Sequence, residues 1–477
     1  MTTKPNVLLL IQDIRFWIVL FFIGRLYGIT NPPLEGASTW RQTDVLMIAR
    51  NFFETDPNIL YPRVDSAGAL SGIVGVEFPV YNYLIYLISL IFGYESWYGR
   101  LINLVITSLG TLYFYKLIKN YFGESSAFYA SLTLLVSMWF SYSRITIPDV
   151  FAASLCLISL YNGFRYFEDG KTKNLIVFVL LALVGCLSKI SSAPILTVLA
   201  IPMFMGRMPI NRKITMSLLA LFIFSVVSYW YFVWVPYLNS TFGFGGYFFM
   251  GLPMDVGIQQ LIVEWRDLLD QFFVTPLKYS GLVVFMVSLY LIMVRNKKWI
   301  VLIAFLLPFS FFLLFVVKSG QWYAVNDYYP LVSVPIFAFI VGIGLAQINI
   351  KALVTVLMLI IGVEGIANQI HVFKIRQPFI SLLSLESTLD KFSQPDDLIA
   401  INSENSPTPM YCAHRKGWNL TNANFSDRNQ IHILKTNKCK FIVILKIFNT
   451  NIDLDLPKVY DSEEYSIYSL VSKTTEM

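Results

Sequence analysis

Residues 174–188, NLIVFVLLALVGCLS, contain no charged side chain, and residues 8–24, LLLIQDIRFWIVLFFIG, contain only two. Such stretches recur along the chain, which is 56% apolar and 14% charged, whereas an ordinary soluble domain is about 25% charged. A single globule cannot bury all of them, but lipid can surround them. Trp and Tyr residues at the ends of the apolar runs are typical of membrane interfaces. The sequence therefore predicts an α-helical polytopic membrane protein.

About eleven apolar stretches are predicted to cross the membrane, approximately at 9–29, 100–118, 125–142, 150–167, 174–188, 190–206, 214–236, 276–294, 299–317, 328–346 and 352–370. A further stretch, 79–93, is shorter than the ~20 residues that a span needs. If it crossed the membrane, several basic residues would face outward against the positive-inside rule: Arg212, Lys213, Arg295, Lys297 and Lys298. We therefore interpret 79–93 as an amphipathic helix on the outer surface.

This interpretation places the N-terminus in the cytoplasm and predicts a multi-pass protein of the cell (inner or plasma) membrane. The same rule explains the formal net charge of +6, and no long basic run predicts nucleic-acid binding. Arg25, near the outer end of the first span, is predicted to reach the membrane surface with its charged end.

From residue 371 onward the composition changes. Short apolar runs, DLIAINS (397–403), CKFIVILK (439–446) and YSIYSLV (465–471), are typical of strands, and SDRNQIHILK (426–435) is typical of a helix. We predict two domains: a transmembrane domain at 1–370 and a small extracytoplasmic α/β domain at 371–477. Residues 30–99 form the first outer loop, which is long enough to suggest a function.

The residue types in the membrane domain narrow the possible chemistry. The three histidines, His371, His414 and His432, lie at or beyond the end of the last predicted span. The membrane domain therefore has no histidine for a metal cage or for a nucleophile–base pair, and it has no glycine-rich phosphate loop. Carboxylates, cations and tyrosines remain.

Several of these groups converge on the outer surface in the predicted topology. Acids at the mouth of an apolar span are costly unless they are paired or used. The candidates are Arg41, Asp44 and Glu77 in the first outer loop, Asp149 after the third span, Lys189 in the turn after the fifth, and Lys318, Asp327, Tyr328 and Tyr329 beside the tenth.

Structural roles compete with functional ones at each position. Asp149 directly follows Pro148 and could cap a helix, while Asp44 could cap a helix or pair with Arg41. Tyr328 and its neighbour could be ordinary interfacial aromatics. Lys189 could extend to the surface from a helix end, although the short arms of its hairpin would hold the ammonium at the depth of a lipid phosphate.

Six motifs resemble the GT-C glycosyltransferases, and most closely the protein O-mannosyltransferase and aminoarabinose-transferase branch. They are WRQTDVLMIARNF (40–52), NILYPRVD (58–65), GVEFPVYNYL (75–84), SRITIPDV (143–150), LSKIS (187–191) and NDYYPLV (326–332). The resemblance covers most of residues 10–370 and implies a polyprenyl-phosphate-linked sugar donor. It also implies a GT-C-like membrane domain with outer juxtamembrane helices.

Carried over by position, the resemblance implies that Asp44 and Asp149 are the catalytic acids. It implies that Lys189 and Tyr328 or Tyr329 contact the donor phosphate. The chain departs from the family in two places: many relatives have an Asp-Glu pair where this chain has Arg41-Gln42, and a lysine where it has Phe78. Arg41 and Lys318 are therefore added as phosphate candidates, with Glu77 and Asp327 as further site residues.

The sequence thus predicts a hexosyl- or pentosyltransferase that moves a sugar from a polyprenyl-phosphate donor to an acceptor protein, lipid or polysaccharide on the outer face of the membrane. A single in-line displacement would invert the anomeric centre. Two carboxylates could hold a divalent cation, although their spacing does not require one, and no other cofactor is predicted.

Two alternatives belong to other classes. A transporter or flippase of lipid-linked sugars predicts ionisable residues in the middle of spans and internal repeats, neither of which we identify from the sequence. A non-catalytic scaffold that presents 371–477 would leave Asp44 and Asp149 freely replaceable.

Single cysteines in a background without native cysteines test the predicted topology. We expect Leu60→Cys and Leu420→Cys to react with a membrane-impermeant reagent added outside the cell, because both positions are predicted to face outward. Lys297→Cys should be labelled only after permeabilisation. Labelling of position 297 in intact cells would contradict the placement of 79–93 on the surface.

Overall fold

The computed structural model describes residues 10–36, 38–206, 208–245, 251–295, 297–448 and 452–471. Contacts within the chain divide it into two units. The helical unit takes its residues from 1–30, 97–233 and 249–373, and the mixed unit takes its residues from 31–96, 234–248 and 374–477.

The helical unit contains long apolar helices joined by short turns. Its α-helices are Ile14–Arg25, Tyr98–Phe122, Glu124–Val136, Trp139–Tyr142, Pro148–Asp169, Thr172–Ser188, Ala200–Met205, Ile210–Tyr229, Met254–Val263, Trp265–Leu269, Thr275–Tyr290, Trp299–Ser319, Gln321–Val325, Val334–Leu345 and Lys351–Ala367. Shorter 3-10 segments are Ile190–Leu199, Tyr329–Val332 and Ile370–Phe373, and π-helical turns are Trp230–Trp234, Asp270–Val274 and Leu291–Arg295.

Six helical segments of the described chain are long and apolar enough to cross a membrane: Tyr98–Phe122, Pro148–Asp169, Ile210–Phe242, Trp265–Arg295, Trp299–Ser319 and Lys351–Phe373. They coincide with six of the predicted spans. The prediction of a polytopic helical membrane protein is therefore confirmed, while the count of about eleven spans stays a prediction.

The helix Pro148–Asp169 occupies the interior of the helical unit. Its most apolar window is 83% buried and has the lowest mean hydropathy of the six, 1.2, whereas the other five are 28–39% buried. A less apolar helix is tolerated where protein rather than lipid surrounds it. Small residues allow its neighbours to approach: an added Cβ would lie 2.7 Å from Ser154 at Gly110 and 2.9 Å from the Cys156 sulfur at Gly185.

One predicted span, 125–142, is interrupted after Val136. The side-chain amide of Gln369 compensates for the interruption, because it donates to the carbonyls of Ser137 at 2.8 Å and Gly365 at 2.6 Å and accepts from the Ser141 backbone N–H at 3.0 Å. Backbone groups released by a break in an apolar region need such partners. The break is therefore stabilised by a neighbouring helix.

Arg25 does not extend to a membrane surface, contrary to the sequence-based expectation. Its side chain is fully buried and donates to the Phe21 carbonyl at 2.8 Å and to the Ser143 hydroxyl. Arg144, also buried, donates to the Gly28 carbonyl at 2.8 Å. A planar guanidinium can donate to several acceptors from one position. The two arginines therefore join the end of the helix Ile14–Arg25 and the residues after it to the segment that contains Ser143 and Arg144.

The mixed unit combines α-helices with a five-stranded sheet. Its helices are Thr39–Glu54, Val80–Phe92, Val235–Phe242, Gln377–Ile380, Leu385–Leu389, Thr408–Ala413, Asn422–Ser426 and Arg428–Thr436. The strands are β1 (Leu398–Ile401), β2 (Gly417–Asn419), β3 (Cys439–Leu445), β4 (Lys458–Asp461) and β5 (Tyr465–Ser469), in the order β2-β1-β3-β5-β4. The predicted strands and the predicted helix in 426–435 are confirmed.

The sheet is parallel at β2-β1-β3 and antiparallel at β3-β5-β4. Ligands of such sheets often bind beyond the carboxyl ends of neighbouring parallel strands. Here Asn402 fills the space between β1 and β3, because its amide accepts from the Leu445 N–H at 2.6 Å and donates to the Leu445 carbonyl at 3.1 Å.

The helix Thr39–Glu54 lies at the centre of the mixed unit. Arg50 donates to Asp65 at 2.9 Å and to the Tyr411 carbonyl at 3.1 Å, and the Thr43 and Thr408 hydroxyls are 3.0 Å apart. The helix therefore packs against the C-terminal segment through polar groups as well as apolar ones.

His414 contacts two carboxylates at once. Its Nδ1 is 2.6 Å from Glu386 Oε1 and its Nε2 is 3.1 Å from Glu54 Oε2. Both ring nitrogens donate only when the imidazole is protonated. The contacts with Glu386 and Glu54 raise the pKa of His414 to about 9, and the contact with His414 lowers the pKa of Glu386. The imidazolium joins the end of Thr39–Glu54 to the helix Leu385–Leu389.

His414→Asn should lower the melting temperature most at or below pH 6.5, the ordinary pKa of histidine, and progressively less as the pH rises through about 9. The folded state holds this proton more tightly than the unfolded chain, so the stabilisation is complete while both are protonated and is lost in alkali. Asparagine tolerates the backbone φ of 48° at this position. Thermal unfolding in detergent from about pH 5.5 to about pH 10 measures the difference.

The exposed His432 provides the matched control. His432→Asn should show no comparable change with pH. A difference between wild type and His414→Asn that stays constant, or grows, with rising pH would contradict the assignment of the stabilisation to the His414 imidazolium.

Candidate functional site

Three of the predicted site residues form a cluster in the mixed unit, which we call the Arg41 cluster. The Arg41 Nη1 donates to Asp44 Oδ2 at 2.7 Å, and its Nη2 donates to Glu77 Oε1 at 2.7 Å. The side chains of Arg41 and Asp44 are 7% and 1% exposed. One guanidinium therefore holds two carboxylates in fixed orientations, each through a different nitrogen of its rigid planar fork.

Local sequence explains how the Arg41 cluster forms. Arg41 and Asp44 are three residues apart in the helix Thr39–Glu54, so their side chains lie on one face. Glu77 lies three residues before the start of the helix Val80–Phe92, whose Asn82 side chain donates to the Val45 carbonyl at 2.7 Å. That hydrogen bond holds the two helices together and so brings Glu77 to Arg41.

Of the structural roles considered for Asp44, pairing with Arg41 is observed. The residue lies inside the helix, past its first turn, so it is not the N-cap. Arg41, which is predicted to bind the donor phosphate, contacts two acids of its own unit. Its role toward a phosphate stays a prediction.

The helical unit brings together a second group, which we call the Lys189 cluster. The Lys189 ammonium lies 3.6 Å from Asp149 Oδ1 and 6.0 Å from the centre of the Tyr328 ring. The side chains of Lys189 and Asp149 are 12% and 2% exposed. A carboxylate and an aromatic face both attract the ammonium, so its orientation is fixed from two sides.

The ends of helical segments position the members of the Lys189 cluster. Pro148 starts the helix Pro148–Asp169, which sets Asp149 in its first turn, and Lys189 separates the helix Thr172–Ser188 from the 3-10 helix Ile190–Leu199. Tyr328 precedes the 3-10 helix Tyr329–Val332. All three side chains thus come from segment ends, where the backbone changes direction.

The remaining candidates lie in the segment after Trp299–Ser319. Tyr329 packs on Tyr328 with ring centres 5.0 Å apart and on Phe315 at 5.4 Å, as part of an aromatic group. Asp327 is half-buried beside them. Lys318 ends the helix, and its carbonyl accepts from the Leu252 N–H at 2.8 Å. Among the described residues, no group of three His, Cys, Asp or Glu side chains is placed to hold a metal ion.

Comparisons with known proteins agree with this architecture. A family model described as dolichyl-phosphate-mannose-protein mannosyltransferase matches residues 77–230. The structure of ArnT from Cupriavidus metallidurans in the apo state is 12% identical, with coverage of 95% of this chain and 98% of that chain and a TM-score of 0.63. ArnT bound to undecaprenyl phosphate gives 13% identity, coverage of 96% and 98%, and a TM-score of 0.62.

A third solved structure has a similar fold with a lower TM-score. The archaeal oligosaccharyltransferase AglB from Archaeoglobus fulgidus, in complex with an inhibitory peptide and a dolichol-phosphate, is 13% identical over 91% of this chain and 70% of that chain, with a TM-score of 0.55. No curated protein matches the sequence. The chain has the GT-C fold. The resemblance drawn from the sequence motifs is confirmed at the level of the fold.

Within this GT-C fold, sequence reasoning missed two ionisable residues, Lys278 and Glu364. Both lie in helical segments long and apolar enough to span a membrane, Trp265–Arg295 and Lys351–Phe373. The Glu364 carboxylate accepts the backbone N–H groups of Tyr279 and Ser280 at 3.2 and 2.7 Å. An acid inside the apolar run 352–370 was the available signal for Glu364.

Arg41→Lys should lower the free energy of unfolding by roughly 3 kcal/mol, because an ammonium cannot replace both arms of a buried guanidinium. Arg63 is the matched control, since its pair with Asp56 has side chains that are 18% and 37% exposed. Arg63→Lys should cost at most about 1 kcal/mol. Thermal unfolding of both variants in detergent measures the difference, and equal losses would contradict a special stabilising role for Arg41.

Proposed function

We propose that this chain is a glycosyltransferase that moves a sugar from a polyprenyl-phosphate donor to an acceptor hydroxyl on the outer face of the cell membrane, with inversion of the anomeric centre. The observation that carries the proposal is the Arg41 cluster, in which a buried carboxylate is held by a guanidinium in a chain with the GT-C fold. The match of residues 77–230 to a mannosyltransferase family supports it.

Asp44 is the proposed general base. An acceptor hydroxyl becomes a good nucleophile when a positioned carboxylate takes its proton, an effect worth about 10²–10⁴-fold in rate. The acceptor oxygen then forms a bond to the anomeric carbon, the bond from that carbon to the phosphate oxygen breaks, and polyprenyl phosphate leaves. Arg41 fixes the orientation of the carboxylate and offsets part of the cost of burying its charge.

Lys189 and Tyr328 are the proposed contacts of the donor phosphate. Negative charge grows on the phosphate as the glycosidic bond breaks, and fixed cations and hydroxyl donors stabilise that charge. Asp149 is proposed as a second acid of the reaction, and its contact with Lys189 at 3.6 Å holds the ammonium in place. Lys318, Tyr329 and Asp327 stay further candidates.

The donor class is inferred from ligands of structural relatives. One ArnT structure contains undecaprenyl phosphate, and the AglB structure contains a dolichol-phosphate and an inhibitory peptide. A long prenyl chain needs an apolar environment beside its phosphate, and the helical unit supplies apolar helices with exposed Leu, Ile and Phe side chains. Protein, lipid and polysaccharide all stay open as acceptors.

Asp44→Asn should abolish transfer and cause the lipid-linked sugar to accumulate, because an amide keeps the shape of the side chain but cannot take the proton. The matched control is Asp65→Asn, which changes an equally buried acid of the same unit, paired with Arg50 at 2.9 Å and with Asn51 at 2.7 Å. Lipid extracts analysed by mass spectrometry measure the accumulation and identify the sugar.

Asp65→Asn should lower stability while its folded fraction still transfers sugar. Transfer by Asp44→Asn within about threefold of wild type would contradict the role of Asp44 as the base. Loss of transfer in both variants at equal amounts of folded protein would show that the assay follows the integrity of the mixed unit and would contradict the same assignment.

A further inference from the structure

Lys278 interrupts the helix Thr275–Tyr290 with a backbone conformation that favours glycine. Its φ is 60° and its ψ is −178°, between residues that are otherwise helical. Side chains other than hydrogen clash with the backbone there, so a lysine carries a conformational penalty that a glycine would not. A long charged residue at such a position calls for an explanation beyond local folding.

The interruption is stabilised from a neighbouring helix. Glu364, in the helix Lys351–Ala367, accepts the backbone N–H groups of Tyr279 at 3.2 Å and Ser280 at 2.7 Å, together with the Ser280 hydroxyl. These are the amides that a helix restarting after Lys278 leaves without partners. A carboxylate inside a spanning segment is expensive, so the break at Lys278 is a supported feature of the helical unit.

The Lys278 ammonium is available to a ligand. The side chain is half-buried and lies within range of the charges of Asp270, Glu364 and Asp327. Over the described ranges of the chain, however, its ammonium makes no hydrogen bond or ion pair. Carboxylates at this range offset the cost of partly desolvating the cation, while its three N–H donors stay unused. Glu364 is itself engaged by the amides of the restarting helix.

Lys278 also lies beside the proposed donor site. Its helix packs against the 3-10 helix Tyr329–Val332, and Asp327 directly precedes Tyr328, over whose ring Lys189 lies. Lys189 already has Asp149 at 3.6 Å, so part of its charge faces an acid. Lys278 therefore supplies a cation within range of the charge of Asp327, the neighbour of that tyrosine, and among the described residues no carboxylate is in direct contact with it.

We propose that Lys278 binds the phosphate of the lipid-linked donor, and that the strained backbone is kept because it directs the ammonium toward that phosphate. The proposal rests on the proposed function and adds a donor-binding residue to it. A purely structural lysine, present to balance the three acids, would instead stabilise the fold and leave donor affinity unchanged.

The decisive substitution is Lys278→Gly, because a binding role and a structural role predict opposite changes in stability. Glycine relieves the strain, so the melting temperature should rise by about 1–3 °C. Affinity for farnesyl phosphate, a short polyprenyl phosphate, should fall about ten- to hundredfold with the loss of a charged contact to phosphate. Lys278→Arg keeps the charge and the strain and should retain affinity within about threefold.

Lys438→Gly is the matched control, because Lys438 is an exposed lysine whose φ of 63° also favours glycine. It should raise the melting temperature without changing affinity for farnesyl phosphate. Binding to the purified full-length protein in detergent is measured for farnesyl phosphate, farnesol and inorganic phosphate. Farnesol affinity should be the same in wild type and Lys278→Gly, and inorganic phosphate should compete only weakly, since the site is proposed for a lipid headgroup.

Several results would overturn the proposal. One is affinity of Lys278→Gly for farnesyl phosphate within about twofold of wild type. A second is a lower melting temperature in Lys278→Gly, which would show that the lysine balances the neighbouring acids. A third is competition by inorganic phosphate as strong as that by farnesyl phosphate, which indicates a site for free anions. If wild type binds no farnesyl phosphate, the proposal for Lys278 and the proposed function both fail. The first two results overturn only the proposal for Lys278 and leave the proposed function standing.

Discussion

Every backbone N–H and C=O group that lipid surrounds must find its partner within the protein, and this constraint explains where the helical unit departs from regular helices. At three departures a polar side chain from another segment supplies a partner for the backbone. Gln369 does so after Val136, Glu364 does so after Lys278, and Arg144 does so at Gly28. The breaks are therefore specific structures, and the polar residues that support them are as much a part of the fold as the apolar faces.

The charged side chains of the two clusters follow a related rule. A buried ion costs several kcal/mol of desolvation unless a partner offsets it, and the Arg41 and Lys189 clusters each combine a cation with at least one acid. In each cluster a protonated cation, Arg41 or Lys189, holds one carboxylate. The cation cannot take a proton from the acceptor substrate, whereas the carboxylate can. This division of roles, in which a cation orients and an acid reacts, suits general base catalysis at a site largely closed to water.

Sequence reasoning predicted the elements whose signals are local. Apolar runs such as 299–317 and strand patterns such as CKFIVILK depend on the residue types within a few turns, and both appear where they were expected. The helix at 79–93 was predicted from its length and charge context alone and is present as Val80–Phe92.

What could not be predicted depends on contacts between distant segments. The pairing of Arg41 with Glu77 joins positions 36 residues apart, and the support of Lys278 by Glu364 joins two separate helices. The prediction that the Arg25 side chain reaches the membrane surface failed for the same reason. Its guanidinium donates to the Ser143 hydroxyl, and Ser143 lies 118 residues away in the chain. The roles assigned to the site residues through family resemblance stay predictions, since geometry alone does not identify which acid reacts.

The contacts of the helix Thr39–Glu54 have a consequence for the order in which the protein is made. Arg50 and its partner Tyr411 are 361 residues apart in the chain, which at about 5–20 residues per second takes a ribosome roughly 20–70 s to synthesise. During that interval the helix that carries Asp44 lacks its contacts with Thr408 and His414. The helix can complete its packing only when synthesis of the chain is nearly finished. In a partly synthesised chain the acid-bearing helix therefore lacks the contacts that order it.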